Sequence, residues 1–137
     1  MSFVDAGSSR LMARILVIDD DDDVREMARR VLESRGHVVV DADDGSSGLA
    51  YIAERLQDLV ITDIFMPGRD GIESLRELRK AFPTLKVIAM SGADSSGLIN
   101  LLHDVELLGA NGTIPKPFVP AELIAVVNQV LGMPDRE

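Results

Sequence analysis

The chain has 137 residues, 46% of them hydrophobic and 27% charged, with no cysteine and a formal net charge of -9 at pH 7. From that length and composition the expectation is one globular domain with its own core and no separate effector domain within these residues. The acidic balance argues against binding nucleic acid or an anionic membrane, while the lack of cysteine excludes disulfides, thiolate metal sites and a cysteine nucleophile and accords with a reducing, cytoplasmic setting.

Residues 1–12, MSFVDAGSSRLM, have neither a basic n-region nor a long apolar run. They are expected to be a loose leader rather than a secretion signal or a membrane span. ILVI (15–18) is the continuous apolar run of a strand buried on both faces. Five aspartates follow directly, Asp19 to Asp23. Two carboxylates ~4 Å apart repel by about 4 kcal/mol at an effective dielectric near 20, so such a run requires positive compensation. Val24, Met27, Ala28, Val31 and Leu32 then repeat with helical spacing up to Gly36, and HVVVDA (37–42) predicts a second strand. The Asp-Asp-Gly signal at 43–45 precedes a short helix carried by Leu49, Ala50, Ile52, Ala53 and Leu56.

LVITDIF (59–65) predicts strand three, MPGRDG a loop, and Ile72, Leu75, Leu78 and Phe82 a helix that stops before Pro83. KVIAMS (86–91) is strand four, and Leu98, Leu101, Leu102, Val105 and Leu108 form the next apolar stripe, closed by Gly109. GTIP (112–115) is strand five, and Pro120 opens a last helix with Leu123, Ile124, Val127, Val130 and Leu131 inward, ended by Gly132 and Pro134. The domain is thus expected over 13–132, with 133–137 as a tail.

Five strand-helix pairs in alternation predict a doubly wound α/β domain, a parallel sheet covered on both faces. Ligands of such sheets bind beyond the carboxyl ends of the strands, where strand order reverses. Those ends carry Asp19 and Asp20 after strand one, Asp63 closing strand three, Ser91 closing strand four and Lys116 just past strand five, with Asp41 and Asp43 at the weaker end of strand two. In the usual order 2-1-3-4-5, strands one and three are neighbours and three carboxylates converge. Such a set suits a hard divalent cation, while Lys116 and Ser91 offer a charge and a hydroxyl to phosphoryl oxygens. Asp21, Asp22 and Asp23 fall at a helix start, where negative charge is favoured.

VIDD (17–20), DLVITDIFMPGRDG (58–71), MSGA (90–93) and PKPF (115–118), in this order at the strand ends, resemble the receiver domain of two-component response regulators over about residues 14–132. The resemblance implies a five-stranded fold of flavodoxin-like type and a switch in which Asp63 accepts a phosphoryl group from a histidine kinase or phosphotransfer protein. It also implies Mg²⁺ held by Asp20, Asp63 and the backbone carbonyl of Phe65, with Asp19 assisting through a water. Lys116 and Ser91 would contact the phosphoryl oxygens, Ser91 moving toward them on modification. Phe65 and Ala93 occupy the positions that tune phosphoryl lifetime in the family. An output protein would dock on the face of the fourth helix, fifth strand and fifth helix, within residues 95–109, 112–115 and 120–131. One position departs: receivers usually carry an aromatic three residues before the lysine, and here it is Thr113.

Taken singly, each acid could be an ordinary strand-end or turn residue, Ser91 the start of a turn and Lys116 a solvated lysine. Jointly they are costly without neutralisation, which favours a site. His37 and His103 have no partner at metal-ligand spacing and are expected to be structural or exposed. The main alternative is a phosphorylation-independent interaction module, which Thr113 favours and the intact acid-lysine set opposes. A Mg²⁺-dependent aspartyl phosphatase would want a second acid where Phe65 stands, and Asp20 to Asp23 would repel the phosphate of a flavodoxin-like carrier.

Overall fold

The computed structural model describes residues 12–66, 69–91 and 109–134. In chain order these form β1 (Arg14–Ile18), α1 (Asp22–Glu33), β2 (Val38–Ala42), α2 (Gly45–Glu54), β3 (Leu59–Asp63), β4 (Phe65–Met66), β5 (Arg69–Asp70), α3 (Gly71–Ala81), β6 (Lys86–Ser91), β7 (Gly112–Pro115) and α4 (Pro120–Leu131). The expected apolar stripe from Leu98 to Leu108 lies outside the described residues, as do the leader to Leu11 and the last residues of the tail.

Five strands make one parallel sheet in the order β2-β1-β3-β6-β7, which is 2-1-3-4-5 when only those five are counted. Alternate residues of each strand feed two separate cores, as the period of two requires. Ile15, Val17, Leu59, Ile61, Ile88 and Met90 pack with Ala28 and Leu32 of α1 and Leu123 and Val127 of α4. Leu16, Ile18, Val60, Val87 and Ala89 pack with Ile52 of α2 and Leu75 and Leu78 of α3 on the other face. Apolar residues point to both faces along ILVI, LVI and VIAM of the central strands because neither face meets water, and the polar residues fall at the strand ends.

Several boundaries differ from the sequence expectation, among them the end of α2, which stops at Glu54 and leaves Leu56, counted in its apolar stripe, outside the helix and exposed. Strand three ends at Asp63 rather than continuing to Phe65. Ile18 of β1 pairs with Thr62, so the neighbouring strand has already ended there. Ile64 donates one last N–H to the Met90 carbonyl, and Phe65–Met66 then pair antiparallel with Arg69–Asp70 inside the expected loop. Backbone groups that leave a sheet must find other partners. Helix α2 begins earlier than its apolar residues suggested, because Asp44 caps it by accepting the Ser47 N–H at 2.7 Å.

His37 is structural. It is buried, and its Nδ1 accepts the Ala13 N–H at 3.0 Å, a role open only to the unprotonated nitrogen. Burial lowers its pKa from the ordinary histidine value of 6.5, against a smaller opposing pull from Asp58. Below that value the unfolded chain binds the proton more readily than the folded one. The contribution of His37 is therefore complete above the unfolded pKa and lost as pH falls toward the folded one. NMR titration is expected to place the His37 imidazole below the ordinary value, with urea stability declining from pH 7 to 5 less steeply in His37→Gln. An imidazole titrating at or above the ordinary value contradicts this.

Arg79 bolts the end of the sheet opposite to the acidic strand ends. Its Nη1 donates to the Leu85 carbonyl at 2.7 Å and the Pro83 carbonyl at 2.9 Å, and its Nη2 to the Gly109 carbonyl at 2.6 Å and Asn111 Oδ1 at 3.1 Å. Asn111 Oδ1 also accepts the Val87 N–H at 2.9 Å. Gly109 has φ +104°, and a Cβ there would lie 3.0 Å from Arg79 Nε, so the contact needs glycine. Charged hydrogen bonds contribute about 1.5–3 kcal/mol each but are not additive. Arg79→Ala is expected to destabilise the fold by roughly 3 kcal/mol in urea denaturation; a change under ~1 kcal/mol would show that water replaces the side chain.

Candidate functional site

Asp19 leaves β1 one residue beyond the Ile18–Thr62 pair, and Asp63 follows Thr62 on the adjacent strand. The register alone brings the two carboxylates together. Both are buried, Asp19 fully and Asp63 at 2% exposure, whereas Asp20 is exposed. Asp19, Asp20 and Asp63 each present a carboxylate oxygen, all within 4.8 Å of one another.

Lys116 follows β7, beyond β6 from Asp63, and its long side chain crosses the strand ends. Its Nζ donates to Asp19 Oδ2 and Asp63 Oδ2, both at 2.9 Å. Burial lowers the lysine pKa, but hydrogen bonds to Asp63 and Asp19 outweigh it and the net direction is upward. Asp19 is pushed above its usual value chiefly by burial, beyond what the Asp21 N–H and Lys116 offset. Its second oxygen, Oδ1, accepts that Asp21 N–H at 2.9 Å. Lys116 thus balances one of three clustered negative charges.

The aspartate run divides as the sequence suggested. Asp21 caps α1, accepting the N–H groups of Asp23 and Val24, and Asp22 and Asp23 occupy the first turn. Negative charge there is favoured by the helix dipole.

Ser91 closes β6 in register with Pro115, between the strand of Asp63 and the one leading to Lys116. Phe65 lies in β4, two residues past Asp63, with its backbone paired to Asp70. Thr113 is half-buried within β7 opposite Ala89. Position 93 lies outside the described residues.

Arg25 escaped sequence reasoning. From the second turn of α1, its Nη1 donates to the Asp19 carbonyl at 2.7 Å, its Nε to Asp41 Oδ2 at 3.3 Å, and its Nη2 to Asp22. The available signal was its place as the basic residue nearest in sequence to the aspartate run.

The donor set fits a divalent cation. Among the described residues, three carboxylates cluster while the Lys116 ammonium contacts two of them, Asp19 and Asp63, and the third, Asp20, is exposed. All-oxygen ligation by carboxylates, carbonyls and water suits Mg²⁺.

The sequence pattern of the response regulator receiver domain matches residues 15–128. The chain is 39% identical over 118 residues to response regulator MprA of Mycobacterium sp. strain KMS, covering 86% of this chain and 50% of that protein. It thus spans about half the length of that curated relative. Over 126 residues it is 39% identical to sensor kinase CckA of Brucella abortus strain 2308, covering 90% of this chain and 13% of the kinase. The crystal structure of the receiver domain of NtrX from Brucella abortus superposes with a TM-score of 0.80 at 36% identity, covering 86% of this chain and 98% of that one.

Proposed function

Since the chain belongs to the receiver domains of two-component response regulators, we propose that its phosphoryl acceptor is Asp63, held for that purpose by β3 and Lys116. The family is one of signalling switches rather than metabolic enzymes, and it binds Mg²⁺ at an acidic pocket. The observation that carries the assignment to Asp63 is the 2.9 Å contact of Lys116 with a carboxylate at the end of the central strand, beside Asp19 and Asp20.

Asp20 and Asp63, with the Phe65 carbonyl, are the residues to hold Mg²⁺. Asp19, both of whose oxygens are already engaged, would act at one remove. The ion supplies charge neutralisation to phosphoryl oxygens. A carboxylate oxygen of Asp63 attacks phosphorus as the P–N bond of a phosphohistidine breaks, and the leaving imidazole takes the electron pair and later a proton. Lys116 turns from a carboxylate partner toward the new phosphoryl oxygens. Transfer of this kind requires positioning and electrostatic stabilisation more than covalent help. The same Asp63 acyl phosphate would then be hydrolysed by water within the chain's own site. Ser91 contributes a hydroxyl to the phosphoryl group, and Thr113 replaces the aromatic that accompanies its movement.

The domain would act in the cytoplasm, over residues 13–132. No helix among the described residues is long and apolar enough to cross a membrane. The phosphoryl source would be a sensor histidine kinase or a histidine phosphotransfer protein. Similarity to both a response regulator and a sensor kinase supports a place in such a chain of transfers. The output protein would dock on the face that includes β7 and α4.

The test is intact mass after incubation with acetyl phosphate and Mg²⁺. One added phosphoryl group, absent with chelator, is expected. No addition, together with no response of the fold to beryllofluoride and Mg²⁺, would leave the chain a binding module that works without phosphorylation.

A further inference from the structure

We propose that Arg25 is a positioning residue of the cation site, fixing the peptide between Asp19 and Asp20 and through it the direction of the Asp20 carboxylate. The inference rests on the reading of the acidic cluster as a divalent-cation site. The Asp19 carbonyl, which accepts the 2.7 Å hydrogen bond from Arg25, belongs to the same planar unit as the nitrogen and Cα of Asp20. Holding that oxygen sets how Asp20 leaves the strand. On its other side Asp19 donates its N–H to the Ala42 carbonyl at 3.1 Å, so both peptides flanking Asp19 are pinned.

The guanidinium is itself anchored. Nε donates to Asp41 Oδ2 at 3.3 Å, and Arg29 reaches Asp41 Oδ1 at 3.4 Å from the next turn of α1. The Arg25 side chain is 15% exposed, against 78% for Arg30 on the same helix, so it is folded inward over the turn. Asp20 has the most to gain from this. Asp19 has both carboxylate oxygens held and Asp63 is buried, whereas Asp20 is the exposed member of the cluster.

A purely electrostatic role predicts the opposite sign. A positive side chain beside a cation site repels the incoming ion, so its removal would tighten binding. Arg25 is paired with Asp22 and Asp41, which offset its charge and leave the directed hydrogen bond as its net contribution.

Calorimetric titration of Mg²⁺ alone into the wild type, Arg25→Gln, Arg25→Lys, Asp41→Asn and Asp20→Asn decides between them, with folding checked by circular dichroism. Loss of a group that orients a metal ligand typically weakens affinity by 10–100-fold. Arg25→Gln is expected to bind Mg²⁺ about 10-fold more weakly. Arg25→Lys should lie between it and the wild type, because an ammonium can reach the carbonyl but cannot fork to Asp22 and Asp41 as well. Asp41→Asn should weaken binding in the same direction by less. Unchanged or tighter binding in Arg25→Gln overturns the proposal, as does a lowered Tm with unaltered affinity. Should Arg25→Gln not fold, Asp41→Asn decides by the same criterion. Unaltered binding in Asp20→Asn removes the cation-site reading itself, and the proposal with it. Loss there without loss in Arg25→Gln overturns only the role of Arg25.

Discussion

Asp63→Asn is expected to abolish phosphoryl incorporation from acetyl phosphate while leaving the fold intact. The amide has the shape of the carboxylate but neither its charge nor a nucleophilic oxygen. Asp63 is 2% exposed and its backbone pairs with Met90 in the sheet, so an isosteric side chain disturbs little packing. Lys116 keeps its contact with Asp19, and an amide oxygen can still accept from it. Removing one of three clustered negative charges also relieves repulsion, so stability should change by no more than ~1 kcal/mol. On the proposed cation site, Mg²⁺ affinity should fall as well. Intact mass and urea denaturation read the two halves of this expectation. A mass gain near the wild-type stoichiometry would place the acceptor elsewhere, with Asp19 and Asp20 the nearest carboxylates.

Lys116→Ala is expected to slow phosphoryl transfer by on the order of 100-fold or more, the loss usual when a charge-stabilising donor is deleted from a reaction centre. The ammonium touches both Asp19 and Asp63, the two buried acids of the cluster. Without it two like charges stay close in a poorly solvated place, and Asp19, already raised by burial, is the one to take up a proton. With a folded pKa above the unfolded one, ionised Asp19 costs stability, fully so above the folded value and not at all below the unfolded one. The variant's stability should therefore fall less than the loss of a buried ion pair suggests, as protonation relieves the repulsion. Mg²⁺ binding should persist or tighten, since Lys116 occupies oxygens the ion would compete for. Single-turnover phosphorylation at saturating Mg²⁺ separates these effects. A rate within a few-fold of wild type would mean that Lys116 serves only the unphosphorylated pocket.

Much of this was legible in the order of residues. Uninterrupted apolar runs such as ILVI and LVIT mark strands buried on both faces, and each is followed by a helical stripe, so a parallel doubly wound sheet is nearly forced. Once strands one and three are neighbours, Asp19 and Asp63 must meet, and the register of Ile18 with Thr62 bears this out. What escaped was the work of long polar side chains. Arg79 ties residues 30 and 32 positions away, and Arg25 joins Asp41 across 16. Such contacts have no period and leave no trace in hydropathy. The short β4–β5 ladder escaped for a related reason: two-residue strands are too brief for any alternation to show.

The central claim is that Asp63 becomes an acyl phosphate, and locating that group tests it most directly. After treatment with acetyl phosphate and Mg²⁺, borohydride reduces an aspartyl phosphate to homoserine and marks the acceptor permanently. Trypsin then separates the candidates, because Asp19 and Asp20 fall in the peptide 15–25 and Asp63 in the peptide 56–69. Homoserine at Asp63 in the second peptide, and only with Mg²⁺, is the predicted result. Homoserine in the first peptide, or at Asp58 within the second, would contradict the assignment.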